Sequence, residues 1–368
     1  MWYREYQNYQ FWIEKIRNPI IIVFILLIAI RLLLSLIPPL FSTDFLRNLF
    51  YGDAFWNYGF KVYDLSPLEI DPNYNITDPS TGTLAYASTP YDYPIVQILF
   101  WALIALFPFS FMVGKVALLI FDCLNVILIH RLIDEESFVH EKKIISFIYF
   151  GAMGVIASIE GQTAGIMVFF MLIALFCLKK YSFLSYFFIA LGTQWKYIPV
   201  IVLPYLIYHD VKKRENKKIF LGISVYFLVI LFLTIIPLLF SSYVLHYVGY
   251  AGNLPNNQLD SNPMAWVYLF YLSSILLWIL IIYLVVYCVR NPSEIMNYSI
   301  LGGLLVFLKY YRFAFPWYWT WLIPGVLLIN PTERKKIWIF LAVLFPIALV
   351  EFVDLTAGWQ FVWDLLFN

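Results

Sequence analysis

Nine stretches of this chain hold enough consecutive apolar residues to cross, or nearly cross, a lipid bilayer. They lie near residues 19–40, 111–131, 144–160, 163–178, 217–240, 264–289, 297–311, 316–330 and 335–352. A run of about 20 apolar residues is the length of a spanning helix, so a water-soluble globular domain is not expected. The balance of residue types agrees: 62% are hydrophobic and 13% charged, where soluble domains carry roughly 25% charged residues. The expectation is an all-α polytopic membrane protein of about ten to eleven transmembrane helices. Residues 1–368 would form a single integral membrane domain.

Punctuation and charge refine that picture. The first apolar run follows a mixed-charge, aromatic start (residues 1–19) and continues for spanning length, which does not fit a cleavable signal peptide. Gly192, Lys196, Pro199 and Pro204 break the stretch 182–208, which predicts a short kinked helical hairpin whose freed backbone groups are satisfied by neighbouring protein. Residues 93–108 are apolar but stop short at Pro108, and are read as re-entrant or interfacial. The basic segments 209–218 and 331–336, with Lys179, Lys180 and Arg290, belong on the cytoplasmic side. Counting crossings back from them puts residues 161–165, 192–196, 241–263 and 309–319 outside, on a multi-pass protein of the plasma membrane. No sequence repeat is visible, which weighs against an inverted-repeat transporter.

The polar exception is the stretch 41–92, read as a large first extracytoplasmic loop bearing interfacial helices. Seven acidic residues stand in it (Asp44, Asp53, Asp64, Glu69, Asp71, Asp78 and Asp92), against Arg47 and Lys61 alone. Residues 51–64 have helical potential, with Phe55, Tyr58 and Val62 on one stripe suited to lying in the interface. Asp53 would then sit near the start of that helix, where a carboxylate can serve chemistry or simply stabilise the helix end. Asp44, just past the first apolar run, has the same two readings. Asn75-Ile76-Thr77 is an N-glycosylation sequon.

Elsewhere, Arg31 and Asp122 fall inside apolar runs, where an unpaired charge costs roughly 2.5–3.5 kcal/mol. An Arg31–Asp122 pair, a Lys115–Asp122 pair or a water-filled cavity would relieve them. Lys196, Lys309 and Arg312 stand on the face that should be poor in cations, so they suit an anionic group such as a phosphate; headgroup contact and snorkelling are the plainer alternatives. Glu160 and Gln162 share that face and suit sugar hydroxyls or a helix cap. A net charge of +1 argues against a nucleic-acid partner. Cys123, Cys177 and Cys288 lie in apolar stretches with no metal or disulfide spacing. No P-loop, GxGxxG or HExxH is present, and His130, His140, His209 and His246 are scattered.

These residues together resemble the membrane glycosyltransferases of the GT-C class. Gly59 to Asp64 matches a G-x-x-x-Y-D element after an acidic loop residue, and Tyr93-Pro94 opens the next apolar segment. Residues 161–165 (GQTAG) resemble the G-Q-x-x motif of polyprenol-phosphate-mannose-dependent mannosyltransferases. Residues 114–122 (GKVALLIFD) are similar to a segment of the catalytic subunits of GPI mannosyltransferases. Residues 192–204 (GTQWKYIPVIVLP) and 315–324 (FPWYWTWLIP) resemble two further elements of the class, and the set follows the class order along most of the chain. The resemblance implies a polyprenyl-phosphate sugar donor and a glycan or glycolipid acceptor, brought together at the extracytoplasmic face. It also implies an inverting transfer with a loop carboxylate as general base. Asp53 matches that acid best and Asp44 next. The class pattern more often sets the acid further upstream of the Gly, and no D-x-D pair stands in this loop, so the reaction implied is metal-free and without a cofactor. Lys196, Arg312 and Lys309 would hold the donor phosphate; Gln162 and Glu160 would hold sugar. The rival reading from the residues alone is a transporter or lipid flippase that uses Arg31 and Asp122 along a pathway.

Overall fold

The computed structural model describes residues 19–37, 43–77, 82–133, 145–178 apart from 147, 180–241, 264–310, 316–329 and 333–341 apart from 340. These residues fold into helices. Among them an isolated pairing of Thr77 with Leu84 is the β contact, and no strand forms. In chain order the helices that matter are α1 (Pro19–Leu34), α2 (Thr43–Tyr58), α3 (Pro67–Ile70), α4 (Ile95–Ala105), α5 (Ser110–Leu132), α6 (Gly154–Glu160), α7 (Ala164–Leu178) and α8 (Ser182–Thr193). They continue with α9 (Leu203–Lys212), α10 (Asn216–Leu238), α11 (Met264–Arg290), α12 (Ile295–Tyr310) and α13 (Leu322–Leu327).

Two of these, α5 and α10, are long and apolar enough to cross a membrane. A third crossing is available if α11 and α12, bent by 118° around Asn291 and Pro292, are taken as one broken span. The ten to eleven crossings expected from the apolar runs are therefore not matched among the described residues, because several runs do not form one long helix. Residues 144–160 divide into a π-helical stretch, Ile148–Met153, and the seven-residue α6. The run 163–178 yields the 15-residue α7, and 316–330 yields a 3-10 turn followed by the six-residue α13. The stretch 182–208 breaks as its Gly and Pro residues predict: α8 ends at Thr193, a 3-10 turn covers Ile198–Val202, and α9 follows.

α10 serves as a ruler for the rest. Its 23 residues extend about 34 Å at 1.5 Å each. The basic residues Lys217 and Lys218 stand at its start. Near its far end Gln194 donates from Nε2 to Thr234 Oγ1 at 3.0 Å, Phe60 stacks on Phe240 with centroids 5.9 Å apart, and Ser241 donates to Asp64 Oδ1 at 2.6 Å. The acidic loop and the 194–197 turn thus share the end of α10 opposite to its basic residues.

α4 also stays at that end. Val96 N–H donates to the Gln194 carbonyl at 3.1 Å, while Trp101 and Ile104 pack against Gly114 near the start of α5. The chain then reverses through Phe109, whose φ is +58°. With 11 residues, α4 is not among the helices long and apolar enough to cross a membrane.

Buried charge organises the middle of the bundle. Arg31 pairs with Asp122, and Arg31 Nε donates to Ser158 Oγ at 2.6 Å. Its guanidinium also lies 4.6 Å from the Phe150 ring centroid. Tyr149 donates its hydroxyl to the other Asp122 oxygen at 2.6 Å. Two glycines make room for this cluster: a Cβ at Gly165 would overlap the Asp122 carboxylate, and one at Gly154 the Arg31 guanidinium. Of the two pairings open to Asp122, the one with Arg31 forms, and the Lys115 ammonium donates to the Ile37 carbonyl at 2.6 Å. The three cysteines are free and half-buried.

Breaking a buried pair from one side strands a charge and costs about 3–5 kcal/mol, whereas replacing both partners by apolar groups is often neutral. Arg31→Met is therefore expected to lower the thermal midpoint of the detergent-solubilised protein sharply. Arg31→Met/Asp122→Leu should recover most of the loss. A double variant as unstable as the sum of the single variants would contradict the pairing.

Candidate functional site around Asp44 and Lys196

The acidic loop is a small folded body, and one helix face builds it. In α2, Asp44, Arg47, Asn48 and Tyr51 fall at positions i, i+3, i+4 and i+7, so they line a single stripe. Arg47, Asn48 and Tyr51 are buried, and Asp44 is half-buried. This stripe faces the returning segment 86–93. Tyr51 donates its hydroxyl to the carbonyls of Leu65 and Thr89 at 3.0 and 3.1 Å, and Tyr91 donates to Asn48 Oδ1 at 2.9 Å. Behind it, Tyr51, Ala54, Val62, Tyr63, Tyr91, Ile95 and Ile98 form a core of their own. On the back of α2, Gly52 lies directly against the Trp101 carbonyl, where a Cβ would collide.

Arg47 is the centre of this body. It is 1% exposed and donates from Nη1 to Asp92 Oδ1 at 2.8 Å and from Nη2 to the Pro90 carbonyl at 2.6 Å. Its guanidinium lies 4.4 Å from the Tyr86 ring centroid and 5.6 Å from that of Tyr51. Burial by itself would lower the Arg47 pKa, but Asp92 and the phenols of Tyr86, Tyr93 and Tyr51 outweigh it, and the net shift is upward. Asp92 moves the other way from most carboxylates. Burial raises its pKa, Arg47 opposes the rise, and Asp44 adds to it.

Asp44 sits at the mouth of this arrangement. Tyr86, held in a left-handed backbone conformation with φ of +56°, donates its hydroxyl to Asp44 Oδ1 at 2.6 Å. Tyr93 reaches the other oxygen at 3.4 Å. The half-buried Lys196 stands nearby in the turn after α8, with its ammonium 5.6 Å from the Tyr93 ring centroid and 5.9 Å from that of Trp321. Burial lowers the Lys196 pKa, and the charges of Asp44 and Asp92 oppose that shift, so both carboxylates lie within electrostatic reach of the ammonium. A carboxylate able to accept a proton, a cation able to hold an anion and three aromatic walls therefore meet at one end of the bundle.

The expected site residues divide accordingly. Asp44 and Lys196 are brought together. Asp53 is not at a helix start: α2 begins at Thr43, which puts Asp53 in the third turn, exposed. It follows Asp44 by nine residues, about two and a half turns, and so points from the opposite face roughly 13 Å further along the axis. The stripe read as lipid-facing is also broken, because Gly59 (φ +55°) ends the helix and Val62 is buried within the loop's own core. Glu160 is buried at the end of α6 and within electrostatic reach of Lys115. Gln162 is half-buried in the turn that follows.

This second polar group approaches α2 through Phe45. The Phe45 ring fills the space beside Gly161 (φ +64°) and stands 6.0 Å from the Lys115 ammonium. Arg312, the Lys309 side chain and residues 242–263 lie outside the described residues. From the sequence, Arg47 and Asp92 enter only in the loop's charge balance, Trp321 only within the motif 315–324, and Tyr86 not at all. The i, i+3, i+4, i+7 spacing of α2 carries a signal for Arg47, while Tyr86 and Trp321 reach the site through long-range contacts that leave no local mark. Among the described residues no group of three His, Cys, Asp or Glu side chains is placed to hold a metal ion. A separate cavity of about 200 Å³, lined by Leu132, Leu178, Tyr205, His209 and Leu328 among others, lies between α5, α7 and α9.

Compared with known proteins, the chain matches no family model, no curated protein and no solved structure.

The Arg47–Asp92 pair predicts a pH signature. An acid whose folded-state pKa lies above its unfolded value costs stability when the pH is above both, and the cost fades as the pH falls below both. Removing Arg47 takes away the charge that limits the rise at Asp92. Arg47→Met should therefore cost about 3–5 kcal/mol at neutral pH and less at mildly acidic pH, where Asp92 takes up a proton. Thermal midpoints measured across that range check the sign, and a penalty that grows on acidification would contradict it.

Proposed function

We propose that the chain is a polyprenyl-phosphate-sugar-dependent glycosyltransferase of the GT-C class. It moves a hexose, mannose in this reading, to a lipid-linked glycan or glycolipid acceptor with inversion at the anomeric carbon. The observation that carries the reading is the convergence of Asp44 and Lys196, distant in sequence, around Tyr93. Displacement at an anomeric carbon needs a base within hydrogen-bond reach of the acceptor hydroxyl, worth roughly 10²–10⁴-fold. It also needs positive charge where the phosphate departs. Asp44 takes the first role and Lys196 the second. Asp53, the better match by motif, points away from Lys196 and is set aside as the base. Lys309 and Arg312 are assigned to the donor phosphate, with Glu160 and Gln162 on the sugar side.

In this reading the loop faces outward across the plasma membrane, and the remaining apolar segments bring the bundle to ten or eleven crossings. The position of the acidic loop and of the basic residues 217 and 218 at opposite ends of α10 supports that orientation, because basic segments favour the cytoplasmic side. Aromatic side chains in quantity, 20% of the chain, suit a groove for an isoprenoid tail. The closed packing of Arg31 and Asp122 against Gly154 and Gly165 favours a structural role for that pair over a transport pathway.

Asp44→Asn in the membrane-inserted protein is expected to cut transfer from labelled polyprenyl-phosphate-mannose by about 10²-fold or more, while Asp53→Asn stays near wild type. Undiminished transfer by Asp44→Asn would remove Asp44 as the base. Sugar or lipid translocation in proteoliposomes, with no covalent product, would overturn the enzymatic reading.

A further inference from the structure

The chain contains two sequons with a residue other than proline in the middle, Asn75-Ile76-Thr77 and Asn297-Tyr298-Ser299, and the structure separates them. Asn297 lies in α12, where its amide donates to Glu294 Oε2 at 2.7 Å. The adjacent Tyr298 is 1% exposed, and the Ser299 hydroxyl is turned back onto the Met296 carbonyl at 2.8 Å. Helical backbone, a buried central residue and an occupied hydroxyl leave that tripeptide no way to present its asparagine. It also follows closely on Arg290, at the end assigned to the cytoplasm.

Asn75 differs in backbone and in setting, with a half-buried rather than buried central residue in Ile76. The asparagine is exposed and outside any helix, and Thr77 beyond it is exposed as well. The arm that carries them is fixed from beneath: Tyr74 is buried and donates its hydroxyl to the Ala85 carbonyl at 2.9 Å. Ala85 N–H in turn donates to the Ile76 carbonyl at 2.8 Å, and Thr77 pairs with Leu84. A bulky substituent on Asn75 would project from this arm without disturbing the Arg47 cluster or the Asp44 pocket.

We infer that Asn75 is an N-glycosylation site, modified by a lipid-pyrophosphate-linked oligosaccharide. In that step the Asn75 amide nitrogen attacks the anomeric carbon and loses one proton to a base of the transferring enzyme. The C1–O bond to the pyrophosphate breaks, and the lipid pyrophosphate departs with the electron pair. The inference rests on the outward orientation of the loop and not on the transferase activity of the chain itself.

The full chain translated in the presence of sealed microsomes, which supply the donor, tests it. A single endoglycosidase-sensitive shift is expected. Asn75→Gln and Thr77→Ala should lose the shift, while Thr77→Ser and Asn297→Gln should keep it. A shift lost in Asn297→Gln instead would overturn the assignment.

If no shift appears, a cysteine at the exposed Asn73, probed with a membrane-impermeant maleimide, identifies which premise failed. Protection that ends on permeabilisation would show the loop in the lumen, so the orientation stands and the glycosylation of Asn75 is refuted. Labelling of intact microsomes would refute the orientation, and the glycosylation with it.

Discussion

One buried cation organises the polar part of this molecule. Arg47 is enclosed by a carboxylate, two main-chain carbonyls and the faces of tyrosines, and each of those partners belongs to the segment 86–93 or to α2 itself. An arginine can do this because its planar fork bonds in several directions at once while its faces stack on aromatic rings. A lysine there would lose the planar face that stacks on Tyr86 and the fork that reaches Asp92 and Pro90 together. Tyr86 stacks on Arg47, and Tyr93 packs on Tyr91, which also lies against Arg47, so the environment of Asp44 depends on where Arg47 is seated. The Asp64–Ser241 and Phe60–Phe240 contacts then attach this body to the end of α10, and the Val96–Gln194 bond ties it to the turn that carries Lys196.

The loop and the bundle obey different physics. Within the bundle, glycines at 154, 161 and 165 let charged or aromatic side chains approach the backbone closely, and the Arg31–Asp122 pair cancels two charges where burial would penalise either alone. In the loop, tyrosines supply both apolar area and hydroxyl donors, so a segment with few aliphatic residues still builds a core. Phe45 belongs to both regions: its neighbour Asp44 faces the loop, while its own ring packs against Trp101 at 5.3 Å and beside Gly161. The acid is thus anchored through the residue next to it.

Some of this was legible in the sequence. Arg31 and Asp122 stand out because a lone charge in an apolar run demands a partner, and they found each other. The break at Gly192, Lys196 and Pro199 was readable because proline and glycine act locally. What was misread has physical causes too. The aromatic cluster 51–64 looked like a helix of its own, yet α2 starts eight residues earlier and Gly59 ends it. That shift of frame moved Asp53 from a helix start to an exposed third turn and moved Asp44 into the site. Tyr86, with its left-handed backbone, and Trp321 reach Arg47 and Lys196 across long sequence separations, which no local pattern encodes. Among the described residues, apolar content overstated the number of long helices, because hydropathy does not register the π-helical and 3-10 interruptions.

The central claim is that the seat of Arg47 sets the position of the acid-bearing helix relative to the Lys196 turn. Spin labels at the exposed positions Asn57 and Val200, measured by electron–electron resonance, report that geometry directly. One narrow distance distribution is expected with Arg47 in place, and a markedly broader one in Arg47→Met while the bundle remains folded. Equally narrow distributions in both proteins would show that the loop is held by something else, and the account of the site built on Arg47 would fail.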